Sequence, residues 1–258
     1  MKPKALVLQA HGSNRDFDVI DALSFAGADA TGIPLNELRM NNMLFRDFAL
    51  LVVPGGFSYA DALGAGKLLA LDLASYFTDE ITAFVDSGKP VIGICNGFQA
   101  LVKSGILPGE KNESGTTLTF NAEGHFECRW VNLAPVSQTC IWTKDLEDNI
   151  TCPIAHGEGN FQASNTFPLS SFVESDQIAL TYTYPNGAPA NGDYPANPNG
   201  SLLDIAGICN PQGNVLGLMP HPENHIQVWQ NPRHTRGETG GSGLKLFENG
   251  VKYAKDFA

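Results

Sequence analysis

The stretch FALLVVP, residues 48–54, is apolar at every position. A strand with one wet face alternates apolar and polar residues, so an unbroken apolar run must be covered on both faces. That places it inside a parallel sheet flanked by helices. A second such run, PVIGI at 90–94, leads straight into CNGFQALVK. The segments around these two runs alternate in the same sense. Residues 4–9 read as a short apolar strand, and residues 16–26 as a helix with Phe17, Ile20, Leu23 and Ala26 at helical spacing. Asn14 or Asp16 would cap that helix and Gly27 would stop it. Residues 30–35 form a weaker strand, and 55–66 a glycine-rich loop. Residues 67–87 read as one long amphipathic helix ended by Gly88, and 96–103 as a helix ended by Gly105. The fold class expected from this rhythm is α/β, an open, mainly parallel sheet with helices on both faces.

The second half changes character. Short strands are expected at 126–133, 177–183, 201–209 and 215–219, with Pro211-Gln212-Gly213-Asn214 turning the last two into a hairpin. Residues 184–199, crowded with Pro, Asn and Gly, form an ordered loop or a flap, and 241–257 a closing helix. Without a linker or internal repeat, the chain reads as a single domain over 1–258 with a small antiparallel excursion.

A net charge of −11 and a pI near 4.9 repel phosphate backbones and argue against nucleic-acid binding. No stretch approaches the ~18 apolar residues of a membrane helix, and the apolar run 5–8 is too short for the core of a signal peptide. Five cysteines without a CxxC pair fit a reducing, cytoplasmic setting, which leaves the sequons at Asn112, Asn149 and Asn199 as chance matches.

Chemistry concentrates where the second apolar run ends. Gly93 and Gly97 flank Cys95 on either side, at the step from strand to helix. This is the cysteine form of a nucleophile elbow, in which a sharp turn lifts a reactive side chain above the sheet. A helix N-terminus there favours the thiolate. A cysteine nucleophile needs a base, and the base needs an orienting group. Of six histidines, His221 in LMPHPE follows an apolar strand, and Glu223 lies two residues on. His156 in AHGEG is the runner-up base, though its glycine-rich setting suits a binding or interface loop better. His221, Glu223 and His225 lack the helix and fourth ligand of a zinc site, so no metal is expected. A thioester route also needs an oxyanion hole. The Asn96 backbone N–H is one donor, and the Gly55-Gly56-Phe57 loop supplies the second. A phosphate-binding loop at Gly66-Lys67 fails, because Asp61 and Leu68 stand where glycine and Ser/Thr would be required.

GGFSYAD, GICNGFQ and MPHPE, in this order, resemble the class I, triad-type glutamine amidotransferases, a flavodoxin-like fold. With FECRWV (126–131), PIAHGEG (153–159), NPNGS (197–201) and IAGICNPQGNVLGLMPHPE (205–223), the chain is similar to the glutaminase component of phosphoribosylformylglycinamidine synthase, of the purine pathway. The resemblance implies Cys95 as nucleophile, His221 as base and Glu223 as its orienting acid. It implies Gly56, Phe57 and Asn96 around the oxyanion hole and Gln99 as a residue holding the substrate L-glutamine. It implies no cofactor. The partners implied are a large synthetase subunit, which uses the ammonia to amidate formylglycinamide ribonucleotide with ATP, and a small accessory subunit. Two positions depart from the pattern: Ala60 stands where glycine is usual, and Asn224 where arginine commonly follows the triad glutamate. The loops at 153–159 and 197–201 are expected to form a docking face or to shape the glutamine pocket. Rival readings are a stand-alone cysteine hydrolase or peptidase on a similar sheet, and a silent regulatory protein with a relic elbow.

Overall fold

The computed structural model describes residues 1–109, 115–164 and 169–258, so Asn112 lies outside the described residues. The first half runs β1 (Lys4–Gln9), α1 (Asp16–Phe25), β2 (Asp29–Pro34), α2 (Leu35–Met40), β3 (Leu50–Val53), α3 (Lys67–Tyr76), α4 (Thr78–Asp86), β4 (Val91–Ile94) and α5 (Asn96–Lys103). The second half follows with β5 (Thr116–Thr119), β6 (Glu127–Pro135), β7 (Ile150–His156), β8 (Asn160–Ala163), α6 (Leu169–Glu174), β9 (Ile178–Thr183), β10 (Ile205–Cys209), β11 (Val215–Leu218) and α7 (Leu244–Ala254).

Among the described residues, nine strands form one sheet in the order β2-β1-β3-β4-β11-β10-β9-β6-β7, and β5 pairs with β8 in a separate two-stranded sheet. Every residue of β3 and β4 is buried, as their apolar runs require. The steps from β1 to β2 and from β3 to β4 run in opposite directions across the sheet. Right-handed connections therefore place α1 and the α3–α4 pair on opposite faces. The packing agrees, with α1 against α7 and α3 against α5.

The expected parallel sheet with its antiparallel excursion is present, and the excursion is large enough to make the sheet mixed. Four pairings are parallel, β1–β2, β1–β3, β3–β4 and β4–β11. Four are antiparallel, β11–β10, β10–β9, β9–β6 and β6–β7. The hairpin turn at 211–214 reverses the chain beside β4, and the following strands extend the same sheet outward from it.

Two helix expectations change. The stretch 67–87 is broken at Phe77, which has φ −132° and ψ 12°. Its fully buried ring packs on Phe45 at 5.7 Å, and sinking it there takes the backbone out of the helix. In α1 the buried face is Asp16, Val19, Ala22 and Leu23, while Phe17 is exposed. Asp16 is drawn inward by Gln9, whose Nε2 donates to Oδ2 at 2.6 Å. The cap position is Arg15, without a side-chain cap, so neither Asn14 nor Asp16 serves. No helix among the described residues is long and apolar enough to cross a membrane.

The parallel pairings place the site. Val53 on β3, Gly93 on β4 and Gly217 on β11 lie in register, so the chain leaves all three strands at one edge of the sheet. Ligands of open α/β sheets bind at this carboxyl edge.

Candidate active site

Cys95 occupies the single residue between β4 and α5, with φ 49° and ψ −104°. Such a conformation costs a non-glycine residue of order 1–3 kcal/mol and persists only where its surroundings over-determine it. Here the Cys95 N–H donates to Leu218 O at 2.8 Å, and its carbonyl accepts from Gln99 N–H at 3.0 Å. The flanking glycines are required by space. A side chain on Gly97 would strike the Val53 carbonyl, and one on Gly93 would meet the Gly97 carbonyl at 2.9 Å.

The chain leaving β11 brings His221 over Cys95. The His221 N–H donates to Pro153 O at 2.8 Å, and its side chain is nearly fully buried. Nδ1 donates to Glu223 Oε1 at 2.6 Å, and the ring faces Cys95 across Gly55, with the Cys95 sulfur donating to Ala155 O at 3.9 Å. Burial opposes charge on this ring, but the Glu223 carboxylate and the Cys95 sulfur outweigh it and hold its pKa up at about 10. His221 therefore carries a proton at neutral pH. Gly55 makes this approach feasible, since a Cβ there would lie 2.8 Å from His221 Cε1 and 3.3 Å from Cys95 Cβ.

A cavity of about 160 Å³ opens above the sulfur. Its walls include Gly56, Phe57, Cys95, Asn96, Gln99 and His221, so the structure gathers the expected site residues there, with Glu223 behind His221. Phe57 stacks on Phe126 at the wall, with centroids 6.2 Å apart. Gln99 reaches the cavity, but its amide is engaged by the protein. Nε2 donates to Glu158 O at 2.6 Å, and Oε1 accepts from Asn96 Nδ2 at 3.1 Å. His225 turns away from His221 and Glu223. Its Nδ1 donates to Thr151 O, and its ring meets Trp130 edge-on at 4.9 Å.

His156, at the end of β7, also lines the cavity and is buried. Its Nδ1 donates to Asn121 Oδ1 at 3.1 Å. Burial, helped by the neighbouring His221, pushes its pKa down to about 3, so this ring is neutral. The NPNGS loop is buried behind the same wall. Asn199 Nδ2 donates to Gly159 O at 2.9 Å and to Tyr182 Oη at 3.1 Å. Asn199 thus supports the pocket from inside and offers no outer face for docking. Asn224 Nδ2 donates to Asp18 Oδ2 at 3.0 Å, tying the segment after Glu223 to α1.

Three features of the site escaped the sequence. The first is the left-handed backbone of the loop after Gly56, with positive φ at Phe57, Tyr59, Ala60 and Asp61. Ala60, which looked like a small departure from glycine, sits at φ 53°, where glycine would relieve strain. The second is the Asn96 side chain, which accepts from Ser58 N–H at 3.0 Å and from Ser58 Oγ, and donates to Asp61 Oδ1 at 2.7 Å. The third is the Glu158 carboxylate, which accepts from Ala65 N–H at 3.1 Å and pairs with Lys103 at 3.6 Å. A cluster of GGFSYAD glycines and polar residues was the only local signal for these contacts.

Residues 2–254 match the family of CobB/CobQ-like glutamine amidotransferase domains. The chain is 52% identical over 268 residues to phosphoribosylformylglycinamidine synthase subunit PurQ of Treponema denticola, spanning 98% of this chain and 99% of the relative. It is 42% identical to the subunit of the same name from Dehalococcoides mccartyi, with 98% of each chain covered. Among solved structures, it superposes on a chain of PurLQS from Thermotoga maritima with a TM-score of 0.75 and 32% identity, covering 98% of this chain and 99% of that one.

Proposed function

The chain belongs to the glutamine amidotransferases as a glutaminase subunit of phosphoribosylformylglycinamidine synthase in purine biosynthesis, and from that membership we propose how its residues perform the reaction. The Cys95 thiolate attacks the side-chain amide carbon of L-glutamine. The oxyanion that forms is met by the Asn96 N–H and by an amide of the Gly56–Phe57 loop. The imidazolium of His221 gives its proton to the departing nitrogen, releasing ammonia and leaving a γ-glutamyl thioester on Cys95. His221, now neutral, takes a proton from water as it attacks the thioester, and glutamate leaves. Glu223 keeps the ring in the tautomer that faces the sulfur.

The observation that carries this reading is the buried line Cys95–His221–Glu223 at the carboxyl edge of the sheet, closed by a 2.6 Å hydrogen bond. The ammonia serves a large synthetase subunit that amidates formylglycinamide ribonucleotide with ATP, within an assembly that includes a small third subunit. The name PurLQS of the superposed structure supports such an assembly. The described cysteines are free thiols, which suits work in the cytoplasm by a single-domain subunit.

Release of ammonia before the acceptor is ready would waste it. Glutamine turnover is therefore expected to rise about a hundredfold when the synthetase and its nucleotide are added, the scale set by completing an oxyanion hole. Measuring glutamate release by the free subunit and by the assembled enzyme tests this. Equal rates, with binding shown independently, would favour a stand-alone hydrolase.

A further inference from the structure

Besides the His221 ring, the charged side chains that line the cavity among the described residues are Arg15, Asp61 and Glu158. Two of these three already have counter-charges. Arg15 Nη1 lies 2.9 Å from Asp18, and Glu158 is paired with Lys103. Asp61 is different. One of its oxygens accepts from Asn96 Nδ2 at 2.7 Å, but no lysine, arginine or histidine nitrogen among the described residues comes within 4.0 Å of it. Lys103, the nearby cation, is turned to Glu158 and to the Ala65 carbonyl. Burial lifts the Asp61 carboxyl above its usual range and Glu158 adds to the lift, while Asn96, the Gly66 N–H and the more distant Lys103 pull it back.

The backbone holds this carboxylate in place against strain. Asp61 has φ 52° and follows Tyr59 at 56° and Ala60 at 53°. The Asn96 side chain grips both ends of the strained turn, at Ser58 and at Asp61, and Asn96 directly follows Cys95. A strained segment fixed by a buried amide, presenting a carboxylate with no ion-pair partner to the cavity that Cys95 also lines, is arranged for a ligand that brings its own positive charge. The substrate is such a ligand, because glutamine carries an α-ammonium group a few bonds from its side-chain amide carbon.

We propose that Asp61 determines specificity by taking the α-ammonium group of glutamine, so that the bound substrate supplies the counter-charge that Asp61 lacks. The assignment rests on the reading that Cys95 attacks the side-chain amide. It makes Asp61 a binding residue for the head of the substrate and leaves the bond-breaking chemistry to Cys95 and His221.

The test compares L-glutamine with glutaramate, the same amide without its amino group, in the assembled enzyme. Asp61→Asn keeps the shape and an acceptor for Asn96 but removes the charge. It is expected to raise KM for glutamine by roughly 10- to 100-fold, to leave kcat within about threefold, and to leave glutaramate turnover unchanged. The preference for glutamine over glutaramate falls by the same factor. Alkylation of Cys95 by iodoacetamide at the wild-type rate shows that the site is still formed. The wild-type enzyme gives a second readout that needs no variant, since KM for glutamine, and not for glutaramate, rises as acid protonates Asp61. Unchanged preference in Asp61→Asn together with a pH-independent ratio of the two KM values would overturn the assignment while leaving the glutaminase reading intact. Failure of the wild-type assembly to hydrolyse glutamine would overturn both.

Discussion

His221 lies between two groups that favour its proton, and the site's pH behaviour follows from that. Its pKa of about 10 arises against burial, from the Glu223 carboxylate and the Cys95 sulfur. The competent form carries the proton on the ring, so activity is present below this pKa and lost as pH rises through it. Glu223→Gln removes one of the two supports. Glutamine turnover of the wild-type assembly is expected to fall off near pH 10, with the fall moved to lower pH in Glu223→Gln and a rate at least ~10-fold lower. His221→Ala should cost at least ~100-fold. An unmoved alkaline limb in Glu223→Gln would mean that the carboxylate does not hold the proton. The three residues of this line were readable in the sequence because Glu223 is two positions from His221 and Cys95 has its own glycines. Asp61 and Asn96 were not readable as a pair, because 35 positions separate them and only the folded loop brings them to 2.7 Å.

At the scale of elements, the loop after β3 sets how closely the His221 ring can approach Cys95. Gly55 has no room for a methyl group between His221 and Cys95. Gly55→Ala should therefore displace the ring and lower glutamine turnover by ~100-fold or more, with an overpacking cost of only ~1–3 kcal/mol in stability. Thermal melting and turnover, measured together, check both halves; full activity would show that the ring can shift without consequence. The inner strands were legible for a physical reason, since β3 and β4 are buried on both faces and their composition says so. β7 was not, because Pro153 interrupts its pattern. The proline is tolerated because, among the described residues, β7 is the last strand of its sheet and pairs only with β6. The break at Phe77 was also hidden, because nothing local distinguishes a phenylalanine that continues a helix from one pulled into the core beside Phe45.

Across the whole molecule, the neutral His156 links stability to pH. Its folded pKa of about 3 lies below the ordinary 6.5, so between these values the unfolded chain binds a proton that the folded chain refuses. Stability falls as pH drops through this window, by up to about 1.4 kcal/mol per pH unit from this group. Replacing it by a neutral side chain, His156→Gln, should flatten the dependence of Tm on pH below 6.5 relative to wild type. Parallel curves for the two proteins would show that the ring is protonated in the fold. The larger claim is that this subunit makes ammonia through a thioester on one particular sulfur. Cys128 is exposed and will react with any small electrophile, so alkylation alone is a weaker test than trapping the intermediate. The direct measurement is mass spectrometry of the assembled enzyme quenched in acid during glutamine turnover. A γ-glutamyl adduct is expected on the peptide carrying Cys95 and absent in Cys95→Ser, which still supports synthesis from added ammonium salts. Full-rate glutamate release with no adduct on Cys95, or with an adduct on another cysteine, would contradict the thioester route.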